Sequence, residues 1–272
     1  MANIMDYLVW RGDLDWDASP FNEVDNVILS ELVYVDFSDI VPQVGEGSIT
    51  LFEANERFFA QHTEEEINAR VSSTKMAAFM MREMVKTKRF KDILLADYVD
   101  DIRQDEQSQF CAMTVDLGDG RCNVVYSGTD STIIGWKEDF NMSFLSETPG
   151  QAEAVEYLKR VAADHDGPLR LMGHSKGGNL SVYAAVNSDK ALQDRIEIIY
   201  SNDGPGFRDT MIEQKAYREL IGRITTIVPE SSIVGMLFEH EEEYEIVRSS
   251  ESGAGQHDVM SWEVKGPALV HL

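Results

Sequence analysis

Ser175 stands in Gly173-His174-Ser175-Lys176-Gly177, a Gly-X-Ser-X-Gly pattern with an apolar run before it and a helix-forming run after it. That order predicts a nucleophile elbow, in which a strand stops, the chain turns sharply at the serine and a helix begins. Glycines two places to either side fit such a turn, because a β-carbon there would collide with the neighbouring strand or helix. A serine hydroxyl attacks a carbonyl only when a base takes its proton, and the base needs an acid to orient it. The chemistry expected of this pattern is acyl transfer through a serine ester.

Six histidines are available as the base. His62 and His165 precede the serine and read as surface residues. His174 adjoins Ser175, and neighbouring side chains at a strand end point to opposite faces, so a packing role is expected. His240 lies in an acidic cluster that reads as a solvated face, and His271 is one residue from the C-terminus and reads as frayed. His257, in the loop Gly253-Ala254-Gly255-Gln256-His257-Asp258, is the expected general base. For the acid two carboxylates stay open. Asp203 follows an apolar run directly and precedes the tight turn Gly204-Pro205-Gly206, whereas Glu230 follows the next apolar run beside Pro229. Asp258 adjoins His257 too closely to reach its ring.

Charge on a tetrahedral intermediate needs hydrogen-bond donors. The backbone N–H of Lys176, at the start of the following helix, is one expected donor. Thr129, in the earlier segment Val124 to Asp130, is the other.

Strands and helices must position these groups. Residues 22 to 36 carry Val24, Val27, Ile28, Leu32 and Val35 at near-helical spacing, with Asn22 or Asn26 as a cap. Ser48 to Phe90 reads as two or three helices, with Met76, Met80, Met81 and Met84 as a core stripe. Strands are expected from Phe110 onward: a hairpin of Phe110 to Val115 and Cys122 to Tyr126, then Leu169 to Met172, Ile196 to Ser201 and Ile224 to Val228. Helices are expected at Asn179 to Ala185 and Gln214 to Leu220. This alternation predicts an α/β fold with a mostly parallel central sheet and helices on both faces. One domain is expected over residues 1–272, with a mainly helical part at 1–105 and a catalytic core at 106–272. The acidic run Glu239 to Glu243 reads as a solvated loop or helix end.

A net charge of −24 over 272 residues argues against nucleic-acid backbones and anionic membranes as partners. No apolar run approaches the roughly 20 residues needed to span a bilayer. No secretory leader is visible, so a cytoplasmic location and free thiols at Cys111 and Cys122 are expected. Nothing in the pattern calls for a metal or cofactor, and the oligomeric state stays open.

With these pieces assembled the chain resembles class 3, fungal-type lipases. Ser127-Gly128-Thr129-Asp130 with Gly135-Trp136-Lys137-Glu138-Asp139-Phe140 looks like that family's oxyanion segment and Trp-X-X-Asp helix, and Gly173 to Gly177 looks like its elbow. Together with Ser201-Asn202-Asp203-Gly204-Pro205-Gly206-Phe207, the set is similar to a bacterial family of unknown function related to those lipases. The resemblance implies an α/β-hydrolase fold, Ser175 as nucleophile, His257 as base, and Thr129 and Lys176 as oxyanion donors. In those lipases the acid follows a later strand, which raises Glu230 beside Asp203. They carry an apolar residue where Lys176 stands. They also form a lid after the oxyanion residue, and Trp136 reads as core or as lid surface.

The expected function is a serine carboxylester hydrolase acting through an acyl-enzyme on a soluble ester or acyl-lipid. A catalytically inactive hydrolase-fold binding module, and a thioesterase or acyltransferase, are the alternatives.

Overall fold

The helices begin where short polar side chains cap them. Asn3 and Asp6 form a reciprocal cap on α1 (Ile4–Arg11), and Asn22 and Asp25 do the same for α2 (Glu23–Leu32). Thr50 caps α3 (Leu51–Gln61), and Thr63 with Glu66 caps α4 (Glu64–Ala69). Each such cap contributes about 1 kcal/mol by bonding amides that the helix leaves open. Helix α5 (Met76–Met84) buries Met80, Met81 and Met84 fully and leaves Met76 exposed. The computed structural model describes residues 1–70, 73–103, 108–129 and 147–272. Trp136 and its lid reading lie outside the described residues.

Eight strands form one sheet in chain order: β1 (Ser48–Thr50), β2 (Leu94–Arg103), β3 (Ser108–Asp116), β4 (Cys122–Tyr126), β5 (Leu169–His174), β6 (Ile196–Asn202), β7 (Ile224–Pro229) and β8 (Tyr244–Val247). Pairings from β1 to β4 are antiparallel, and those from β4 to β8 are parallel. Helix α6 (Pro149–Asp164) connects β4 to β5, and α7 (Lys176–Val186) connects β5 to β6. Short helices α8 (Lys190–Gln193), α9 (Asp209–Ile212) and α10 (Lys215–Leu220) complete the later connections.

Side chains alternate across the strands, and the alternation divides the core in two. Val125 and Met172 face a layer made by α1 to α5, whereas Val124, Tyr126 and Leu171 face α6 and α7. The N-terminal helices are therefore one of the two covering layers. They also bring strands β1 and β2, and β2 pairs with β3 in an antiparallel register that runs from Leu94 with Asp116 to Arg103 with Ser108. Arg89 locks this layer: its guanidinium is fully buried, binds both oxygens of Asp25 at 2.8 and 2.6 Å, and lies 3.8 Å from the Trp16 ring.

Cys111 and Cys122 are free and buried. Among the described residues, no helix is long and apolar enough to cross a membrane. Two expectations at the C-terminal end change. Glu242 in the acidic run is buried and accepts hydrogen bonds from Thr226, His240 and Tyr217. His271 is tied down by Glu23 at 2.9 Å and Glu245 at 3.3 Å.

Candidate active site

β5 stops at His174, Ser175 takes φ +58°, and α7 starts at Lys176. A positive φ is strained for a residue with a side chain, and it is held by the packing around it. A β-carbon on Gly173 would come within 2.3 Å of the Gly177 carbonyl carbon, and one on Gly177 within 2.1 Å of the Tyr126 carbonyl oxygen. Only glycine fits at either place. The Ser175 amide donates to the Asn202 carbonyl at 2.9 Å, which ties the elbow to the end of β6.

Asp203 comes immediately after β6, is fully buried, and also has a positive φ, +50°. Its Oδ2 lies 2.6 Å from His257 Nδ1. Its Oδ1 accepts from the Gly235 amide at 3.1 Å and from the Ser232 hydroxyl. A carboxylate accepts hydrogen bonds, so Nδ1 of His257 carries the proton of this bond. Glu230 is exposed at the end of β7. Of the two carboxylates left open by the sequence, the one that meets His257 is Asp203.

His257 sits at the end of a 3₁₀ turn, Gly253–His257, with its side chain 30% exposed. That turn is anchored from two sides. Trp262, fully buried, donates its indole N–H to the Gln256 carbonyl at 2.9 Å, and the Gln256 side-chain oxygen accepts from the Ser231 amide at 2.7 Å. Asp258 turns away and accepts from the Met260 amide at 2.9 Å.

His174 does more than pack. Its ring centroid is 4.5 Å from that of His257, and its Nε2 lies 2.8 Å from the His257 carbonyl oxygen. Burial, and after it the neighbouring His257, holds the His174 ring well below the usual histidine range. It is therefore neutral, with Nε2–H donating to that carbonyl and Nδ1 accepting from the Tyr34 hydroxyl at 3.1 Å. Tyr34 follows α2, which lies under the elbow. On α2 itself, Asn26 and Asn202 exchange amide hydrogen bonds at 2.8 and 3.1 Å, and Ser30 accepts from Asn202 at 3.0 Å. The sequence held a sign of this in polar residues at 26, 30 and 34, four apart on an otherwise apolar face. On the other side, Asn179 of α7 donates to the Pro205 and Gly206 carbonyls at 3.0 Å each, fixing the turn after Asp203.

The segment after β4 runs beside the serine. A β-carbon on Gly128 would lie 3.1 Å from Ser175 Cβ. Thr129 follows it, half-buried. The Lys176 side chain is buried and donates from Nζ to the Gln109 carbonyl at 2.9 Å, so its amine is directed to β3. His240 is mostly buried and bonds Glu242 at 2.9 Å, where a solvated face was expected. Ile233, Met236 and Leu237 are exposed on the loop that bonds Asp203.

A mostly parallel sheet in which β5 turns at Ser175 into a helix, with an aspartate after the next strand bonded to a late histidine, defines an α/β-hydrolase fold. The chain belongs to the Mbeg1-like family, whose model matches residues 84–272. Among solved structures it is similar to the Rhizomucor miehei lipase in its native propeptide complex, at 16% identity and TM-score 0.41 over 59% of this chain and 58% of that one. It is similar to the M37 lipase at 16% identity and TM-score 0.42, covering 64% and 70% of the two chains. A triacylglycerol lipase from Penicillium expansum matches at 13% identity and TM-score 0.36, covering 66% and 73%. The chain thus spans less than two thirds of the length of the Rhizomucor lipase. No curated protein matches it.

Proposed function

We propose that this protein is a serine carboxylester hydrolase that works through an acyl-enzyme. The observation that carries the reading is the 2.6 Å contact between His257 Nδ1 and the fully buried Asp203 carboxylate, beside a serine at a strained strand-to-helix turn. Asp203 fixes the tautomer of His257 and leaves Nε2 as the base. Ser175 Oγ attacks the ester carbonyl carbon and its proton passes to Nε2. The carbonyl oxygen becomes an oxyanion held by the backbone amides of Thr129 and Lys176, the latter opening α7 at its positive dipole end. Collapse breaks the bond to the leaving alkoxide, which takes the proton from His257. Water then gives a proton to His257 and attacks the acyl carbon, and collapse breaks the bond to Ser175 Oγ, which takes that proton from His257 as the carboxylic acid leaves. A soluble ester or acyl-lipid is the substrate class.

A fluorophosphonate probe and a series of p-nitrophenyl esters test this. The wild type is expected to label and to turn over esters, and Ser175→Ala to do neither while keeping its fold. Equal labelling of the two proteins, or no labelling of a folded wild type, overturns the assignment.

A further inference from the structure

We propose that the cavity between the N-terminal helices and strands β2 and β3 is the pocket for the acyl chain of a medium-chain ester. This rests on Ser175 being the nucleophile, as argued above. The cavity measures about 530 Å³, within the range of small-molecule sites. Val33, Val35, Phe58, Ile67, Ala78 and Tyr98 line it, each at most 6% exposed. That floor suits hydrocarbon. Of the charged lining residues, Arg70, Asp36 and Asp100 are exposed and Lys75 is half-buried, and together they form the rim.

Two further lining residues join the cavity to the candidate site. Ser127 lines it and directly precedes Gly128. Tyr34 lines it and bonds His174. A β-carbon on Gly128 would lie 2.1 Å from the Tyr34 hydroxyl and 3.1 Å from Ser175 Cβ, so one glycine separates the cavity wall from the serine. An acyl carbonyl at Ser175 therefore has an apolar cavity one residue away. Most of that apolar floor comes from residues 33–78, which precede the stretch matched by the family model. The N-terminal layer thus supplies the acyl specificity of the site.

The test is a chain-length series on the full chain. For p-nitrophenyl esters from acetate to decanoate, kcat/KM should rise roughly fourfold for each buried methylene until the cavity is full. Ala78→Trp fills the floor, so it should lower decanoate-ester kcat/KM at least tenfold and leave acetate-ester kcat/KM within twofold. Equal loss on both esters in a folded variant, or no loss on either, overturns the pocket. Phe58→Leu, a milder change that widens the floor, should move the optimum to longer chains, and an unmoved optimum counts against the pocket. Decanoate binding to Ser175→Ala by calorimetry needs no turnover. Binding that Ala78→Trp abolishes supports the pocket even if no ester is hydrolysed, and absence of binding overturns it even if esters are hydrolysed.

Discussion

The Tyr34 hydroxyl lies 3.1 Å from Nδ1 of His174, whose Nε2 in turn holds the carbonyl of His257 at 2.8 Å. A tyrosine of the N-terminal layer thus positions the backbone of the candidate base through one neutral imidazole. Tyr34→Phe removes the first bond of this chain and keeps the ring packing. We expect kcat for ester hydrolysis to fall about tenfold, the worth of one hydrogen bond of roughly 1.4 kcal/mol, with KM changed less than twofold. Steady-state kinetics on one p-nitrophenyl ester checks it. Unchanged kcat would separate the tyrosine from the base.

Asp203→Asn tests the acid. Asparagine tolerates the positive φ at this position, and its side-chain oxygen can still accept from Ser232 and Gly235, so the fold should persist. The loss of a carboxylate at His257 Nδ1 should lower kcat by about 10⁴. Glu230→Gln should leave kcat within twofold, because Glu230 is exposed at the end of β7. The reverse pattern would move the acid to Glu230.

Glu31 on α2 is buried, its Oε1 has no hydrogen-bond partner among the described residues, and burial followed by the Asp258 charge pushes its carboxyl well above the usual range. The native state therefore keeps a proton that the unfolded chain releases above its ordinary value near 4.5. Stability is lost as pH rises from that value. Glu31→Gln should raise Tm at pH 7 by a few degrees, on the order of 1 kcal/mol or more, and bring little gain at pH 4. Thermal melts at the two pH values decide it.

Glu242 behaves in the opposite sense. Burial pushes its carboxyl up, but hydrogen bonds from His240, Tyr217 and Thr226 outweigh this and hold it down at about 2. Its contribution to stability is complete above the unfolded value near 4.5 and is lost as pH falls toward 2. Urea titrations should show Glu242→Gln less stable at neutral pH, by about 3 kcal/mol, with the gap narrowing below pH 4.5. A gap independent of pH would mean the loss is one of packing alone.

The parts of the fold with a strong local period were legible. The strands from Phe110 onward and the helices at α2 and α7 follow apolar spacing, and their ends differ from expectation by a few residues. β2 was hidden because its pairing with β3 shifts between Ala96 and Val99, where Asp97 takes φ +54° and breaks the alternation. β8 was hidden because it is an edge strand with three of its four residues exposed, directly after the acidic run. α6 is marked in the sequence by Thr148, Pro149 and Gln151, a full helix-start signal.

The sequence by itself determined the elbow, because a strand, a strained serine and a helix start are all encoded within a dozen adjacent residues. It also narrowed the histidine and reduced the acid to two carboxylates that each follow a strand. Which of them meets His257 was decided by tertiary structure, because Asp203 and His257 are 54 positions apart and meet only when the order of strands puts the end of β6 beside the elbow. The Tyr34–His174 pair, 140 positions apart, and the cavity behind it likewise arise from packing the N-terminal helices onto the sheet. No local period encodes which buried polar groups find each other across two layers; the closing of the layers does.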